Sequence, residues 1–114
     1  MLKKNYEFKK VLSKGKYYSG EYIECFIIKN KKNFNYLGLA ISTKVGKAYL
    51  RNKIKRLIRE NYKTLEEKID NGYSMVFLWK KEKSTEFAYY KNINVDMKTI
   101  FDKAKIIEEN KVKI

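Results

Sequence analysis

Between Lys44 and Lys63 the chain carries eight cations, Lys44, Lys47, Arg51, Lys53, Lys55, Arg56, Arg59 and Lys63, against one acid, Glu60. Such side chains hold phosphate: lysine as a point charge, arginine as a two-pronged donor. Apolar residues recur among them at Leu50, Ile54, Leu57, Ile58 and Leu65, which is the spacing of one helical face. At about 100° per residue, these and Asn61 share one arc, while Asn52, Lys55, Arg56, Arg59 and Lys63 fall on the opposite one. A helix over about 48–68 therefore joins a core stripe to a nearly acid-free cationic stripe. Asn61, inside the apolar arc, reads as a satisfied structural polar group. The turn-neighbours Asn52, Lys55 and Lys63 leave Arg56 and Arg59 without a neutralising acid. Positive charge gathered on one element attracts a polyanion.

Catalytic groups are scarce. Histidine is absent, which removes the usual general base near neutral pH and the commonest metal ligand. The one cysteine, Cys25, allows no intrachain disulfide and no zinc pair, and its apolar surroundings mark it as a small core residue. No glycine-rich phosphate loop occurs. Glu66, Glu67 and Asp70 adjoin one another but lie around a helix end. A self-sufficient nuclease is disfavoured on these grounds. Net charge is +14, from 27 Lys and Arg against 13 Asp and Glu. The bland reading of that excess is a solvated surface. Clustering on one element favours a polyanionic partner instead: nucleic acid, an anionic membrane or an acidic protein. No apolar run approaches the ~18 residues of a membrane span. The opening MLKKNYEFKK lacks the apolar segment of a secretory signal, so a cytoplasmic protein with no membrane partner is expected.

The elements that must position the basic helix follow from pattern. The 114 residues, 44% of them hydrophobic, suit one domain over 1–114 with a real core. Residues 3–14 read as a short helix, with Asn5 as its cap, Phe8, Val11 and Leu12 at helical spacing, and Gly15 ending it. Residues 16–29 read as one strand, or two broken near Gly20. In that run Ile23, Cys25 and Ile27 face one way, and Tyr22, Glu24, Phe26 and Ile28 the other. A polar loop over 30–35 precedes a nearly all-apolar strand at 36–43, and residues 44–47 turn into the basic helix. Asn71-Gly72 signals a turn into a strand at 73–80. A last amphipathic helix is expected over about 85–109, with Ile93, Met97, Ile100, Phe101, Ala104 and Ile107 on its apolar side. The order is α-β-β-α-β-α with one β-α-β unit: an α+β fold, an α-β sandwich in which helices pack a small mixed sheet.

The segment from Gly38 to Glu60 resembles the signature of the bacterial ribonuclease P protein component. Its marks are a strand ending in Ser42-Thr43-Lys44-Val45-Gly46, then Arg51-Asn52-Lys53 on a helix that continues through Lys55, Arg56 and Arg59. Leu2-Lys3-Lys4-Asn5, Phe8, Val11 and Gly15 resemble that family's opening helix, and strand 73–80 and the last helix fit its remaining elements. The resemblance implies a left-handed β-α-β crossover, against the usual right-handed rule. It implies a subunit, monomeric when free, of a ribonucleoprotein that cuts the 5′ leader from precursor tRNA. Hydrolysis would belong to the RNA subunit and its bound magnesium ions (Mg²⁺). The protein would bind that RNA and hold the leader.

Residue by residue, the resemblance carries Arg51, Asn52, Lys53, Arg56 and Arg59 to the RNA subunit, and Lys55 and Lys63 of the same cationic arc are expected to join them. Lys53 stands where the family usually has arginine, which keeps the charge and loses the two-pronged contact. A leader cleft would be lined by Phe8, Leu12, Tyr22, Phe26, Ser42 and Lys44, with Leu12 in place of a second helix aromatic. The family often has a basic tail before the first helix, and none is expected here. Phe8 can equally be core by its spacing. Trp79 reads as packing at a strand end, and most of the ten tyrosines as strand formers. A small ribosomal protein, another RNA-binding structural protein, would share the electrostatics and lack the motif.

Overall fold

The computed structural model describes residues 5–107. Residues 3 and 4 of the expected first helix and 108–109 of the last lie outside them. Helix α1 spans Asn5–Lys14, so Asn5 is already a helical residue. The run 16–29 is the split version of the two readings: β1 (Lys16–Ser19) and β2 (Ile23–Lys29) pair antiparallel, with Tyr17 opposite Phe26 and Tyr18 opposite Cys25. Strand β3 is Tyr36–Leu39, helix α2 is Ala48–Leu65, β4 is Tyr73–Trp79 and α3 is Tyr90–Lys103. The sheet order is β1-β2-β4-β3. β2 runs antiparallel to β4, and β3 parallel to it, so β3-α2-β4 is the expected β-α-β unit in a mixed sheet.

Alternation along the strands divides the sheet into two faces. Ile23, Cys25 and Ile27 of β2, with Met75, Phe77 and Trp79 of β4, are buried among Ile54, Leu57, Ile58 and Leu65 of α2 and Ile93, Met97, Ile100 and Phe101 of α3. The opposite face carries Phe26, Ile28, Val76 and Leu78, covered by Val11, Phe8 and Leu12 of α1. The molecule is thus layered as α1, sheet, then α2 with α3. Burial pushes the Cys25 thiol well above its ordinary pKa, as suits a packed, inert cysteine. Trp79 packs at its strand end as expected and donates its indole N–H to the Lys83 carbonyl at 2.9 Å.

Four element ends differ from expectation. β3 stops at Leu39, not 43, because Ser42 turns the chain: its Oγ accepts the Lys44 N–H at 3.2 Å and caps a 3₁₀ turn over Thr43–Val45. Helix α2 ends at Leu65, and Glu66–Lys68 tighten to a 3₁₀ turn. The last helix begins at Tyr90, not 85. Ser84 caps a separate 3₁₀ turn at Thr85–Phe87, and an extended Tyr89 intervenes. It stops at Lys103 because Lys105 takes a left-handed conformation, φ 58°. There Lys105 N–H bonds to Asp102 O at 3.0 Å and Ile106 N–H to Phe101 O at 3.1 Å, a Schellman ending. Ala104 and Ile107 therefore pack beyond the helix, and Ile107 bridges to Ile69. The Asn71-Gly72 turn forms as expected, with Gly72 at φ 98°.

Asp96 ties α3 to the β1–β2 hairpin. It is buried on the apolar side of α3, and its carboxylate accepts three backbone N–H groups: Glu21 at 3.0 Å, Tyr22 at 2.7 Å and Ile23 at 3.1 Å. Gly20 is required beside it, since a Cβ there would sit 2.4 Å from the Asp96 Cγ. Lys103 adds a second tie, its Nζ donating to Ser19 O at 3.0 Å. Replacing Asp96 by Ala strands three donors that a charged acceptor now satisfies. The expected loss is about 2–4 kcal/mol in urea denaturation, given roughly 1.5–3 kcal/mol per hydrogen bond to a charged group and partial rescue by water. A loss below about 0.5 kcal/mol, the range of an ordinary surface change, would show that the hairpin holds itself.

Candidate nucleic-acid interface

Helix α2 places its cations as its spacing requires. Ile54, Leu57, Ile58, Asn61, Tyr62 and Leu65 are buried, while Asn52, Arg56, Arg59 and Lys63 are exposed and Arg51, Lys53 and Lys55 half-buried. The first turn holds no acid, so the positive end of the helix dipole adds to the side-chain charge. Arg51 is partly committed to structure: its Nη1 donates to Gly46 O at 3.2 Å and fastens the turn that launches the helix.

Two expectations for this helix need correction. Arg56 is not un-neutralised, because Glu60, one turn on, lies 3.6 Å from its Nε. Both side chains are largely exposed, so the pair contributes at most about 0.5 kcal/mol and yields readily to a phosphate. Asn61 is only half satisfied. Its Nδ2 donates to Leu57 O at 2.9 Å and Tyr90 O at 3.3 Å, while its Oδ1 is buried without a partner among the described residues.

The second candidate surface lies on the far side of the sheet. Phe8 and Leu12 of α1 are half-buried and pack with Phe26, Leu78 and Ala40. Tyr17, which the sequence reading passed over, belongs here: its ring is 5.2 Å from that of Phe26, and its hydroxyl donates to Glu24 Oε2 at 2.5 Å. Its signal was the hairpin register, which needs the break at Gly20 to be known. Ser42 and Lys44 follow shortly after Ala40; Lys44 is exposed, and the Ser42 hydroxyl is already used as a cap.

Tyr22 does not join this surface. It precedes β2, where Asp96 holds the backbone, and so escapes the strand's alternation. Its ring stacks on Trp79 at 5.8 Å and on Phe87 at 5.5 Å, at the edge of the main core. On the other flank of α1 a half-open cavity of about 270 Å³ runs between Tyr6, Lys10 and Val11 and the strand ends at Ile28, Tyr36 and Ser74. None of the residues expected in the cleft lines it.

Among the described residues no group of three or more His, Cys, Asp or Glu side chains comes together, so they do not make up a magnesium cage. Among the same residues, no helix is long and apolar enough to cross a membrane.

Residues 1–105 match the family model described as Ribonuclease P. The ribonuclease P protein component of Clostridium kluyveri is 39% identical over 105 residues, covering 90% of this chain and 92% of that protein. The RNase P protein of Staphylococcus aureus superposes with a TM-score of 0.82 at 28% identity, over 94% of this chain and 96% of that one. That of Thermotoga maritima, solved with 1-(4-fluorophenyl)-2-thiourea, gives 0.79 at 28% identity over 95% and 100% of the two chains. Superposition this close requires the same order and connection of helices and strands. With the motif on α2, the sheet order and near full-length similarity agreeing, the chain belongs to the ribonuclease P protein component family.

Proposed function

We propose that this chain is the protein subunit of a cytoplasmic ribonuclease P ribonucleoprotein, which removes the 5′ leader of precursor tRNA. The observation that carries the reading is the division of α2 into a buried apolar arc and an exposed cationic arc within the family's motif. On this reading Asn52, Lys55, Arg56, Arg59 and Lys63 neutralise phosphates of the RNA subunit, with Arg51 and Lys53 at the margin. Hydrolysis, and the magnesium ions it needs, belong to the RNA. The protein lowers the magnesium requirement by adding fixed positive charge and by holding the substrate. The face formed by Phe8, Leu12, Tyr17 and Phe26 takes the single-stranded leader, because aromatic faces stack on any base and leaders vary in sequence. α1 and α2 pack on opposite faces of the sheet, so the two RNAs meet separate surfaces. The chain is monomeric when free.

The direct test is reconstitution with a bacterial ribonuclease P RNA, scored by cleavage of precursor tRNA at low magnesium. The protein alone should not cut, and it should restore efficient cleavage to the RNA. Cleavage by RNA-free protein would overturn the reading.

Assembly should depend steeply on salt. If ~6 phosphates are neutralised, affinity falls roughly 10³-fold between about 50 and 200 mM salt. Replacing Arg56 and Arg59 together by Ala should flatten that dependence and weaken assembly, with thermal stability nearly unchanged since both side chains are exposed. A large drop in stability would place them in structural ion pairs instead.

Replacing Phe26 by Ala should lower affinity for leader-bearing precursor tRNA by roughly fivefold or more, from ~1–3 kcal/mol per stacked base. Affinity for mature tRNA and for the RNA subunit should hold. An unchanged precursor-to-mature ratio in a folded variant would assign Phe26 to packing alone.

A further inference from the structure

The cationic face of α2 has a flank that its charge does not explain. Tyr49 and Lys53 stand four residues apart on α2, and so on one side of the helix. There Lys53 Nζ lies over the ring of Tyr89, 5.9 Å from its centroid. Tyr49 is 68% exposed and Tyr89 58%. Large rings this open contribute little to the fold, and their edges are contiguous with the basic arc.

The segment presenting Tyr89 is rigid. The Phe87 carbonyl accepts both the Tyr89 N–H at 2.9 Å and Asn92 Nδ2 at 2.8 Å. Three residues on, Tyr90 O is held by the buried Asn61 of α2. Behind them Phe87 ends a column of rings through Tyr22 to Trp79 in the core. A ring fixed in this way loses little entropy when a second flat group settles on it. The one acid in the turn, Glu86, is exposed, and Lys91 follows Tyr90.

We propose that Tyr49, Lys53 and Tyr89 form a stacking platform for unpaired bases of the RNA held by the basic face of α2. The inference rests on the functional reading above and adds to it a second mode of recognition on the same side of the molecule. Phosphate contacts fix position and ignore whether bases are paired. A tyrosine face accepts a base only where the RNA offers one out of its helix. Lys53 serves both: its ammonium lies over the Tyr89 ring and is near enough to the basic arc to meet the backbone. The platform would direct α2 to junctions or bulges of a folded RNA rather than to uniform duplex.

The test is binding of a bacterial ribonuclease P RNA, measured across salt concentrations. The pair Tyr49→Ala with Tyr89→Ala should lose roughly tenfold in affinity, with the slope against salt and the thermal midpoint unchanged. Tyr49→Phe with Tyr89→Phe should bind as the unaltered protein does, because stacking needs the ring and not the hydroxyl. Tyr89→Leu keeps an apolar side chain without a flat face and should also bind weakly. The platform is overturned if the Ala pair binds within twofold of the unaltered protein. It is equally overturned if the Phe pair is as weak as the Ala pair, or if Tyr89→Leu binds normally. If the unaltered chain does not bind this RNA, the functional reading itself fails and the platform with it. Normal binding by both the unaltered chain and the Ala pair removes only the platform.

Discussion

The side-chain alternation of β2 and β4 is the constraint on which the rest depends. These two strands pair over seven residues, Ile23 opposite Trp79 through Lys29 opposite Tyr73. Both are largely apolar on both faces, Glu24 and Ser74 aside, so the sheet can sit between two layers of helix. The faces are not equivalent. One presents Ile23, Cys25, Ile27, Met75, Phe77 and Trp79 to α2 and α3 and is sealed. The other presents Phe26, Val76 and Leu78 to the short α1, which covers it only in part. A slip of one residue would exchange the two sets and turn Glu24 of β2 or Ser74 of β4 toward the apolar arc of α2. The register therefore fixes where the basic helix docks and which aromatic residues stay half open.

On α2, burial and charge are kept from interfering. A net charge of +14 on 114 residues repels itself, and in a compact fold that repulsion opposes stability. The chain places the excess on exposed positions, where water and salt screen it, and pairs little of it. Among the described residues one ion pair, Arg56 with Glu60, lies on this helix. Stability comes instead from the apolar arc and from neutral ties such as Asn61 to Tyr90 O. Cations that stabilise nothing within the chain can neutralise an outside phosphate at little cost to the fold. The Asn61 Oδ1, buried without a partner among the described residues, fits the same division: the helix accepts a local loss to hold the 87–90 segment in place.

Much of this was legible in the sequence, and the gaps have physical causes. The element order, the two faces of β2 and the arcs of α2 follow from periods of two and 3.6, which a single sequence records directly, while the break near Gly20 stood as one of two readings. The motif from Ser42 to Arg59 pointed to the family for the same reason: its residues are close in the chain. Lost were features set by contacts between distant segments. Asp96 sits three residues after Ile93 and four before Ile100, and an acid inside an apolar arc was the available signal for a buried acceptor. Its partners, though, lie some 75 residues away. Tyr22 was assigned by alternation that does not extend past Ile23. The end of α3 was read six residues late because its left-handed position is filled by Lys105, so the glycine that normally announces a Schellman ending is missing. Tyr17 and the cavity beside Tyr36 depend on register across strands, which spacing along one strand does not contain.

The surfaces left open by this packing share one chemical character. Each presents flat rings: Tyr89 with Lys53 and Tyr49 on α2, Tyr6 and Tyr36 with Lys10, and Phe26 against Tyr17 below α1. None pairs a nucleophile with a base, and the chain has no histidine to supply one. Such surfaces can lower the free energy of a bound polyanion by holding phosphate and base together, but they have no means of moving a proton at neutral pH. On the proposed function, such a chain would act through the position and charge environment of the RNA it holds, in affinity and in salt dependence.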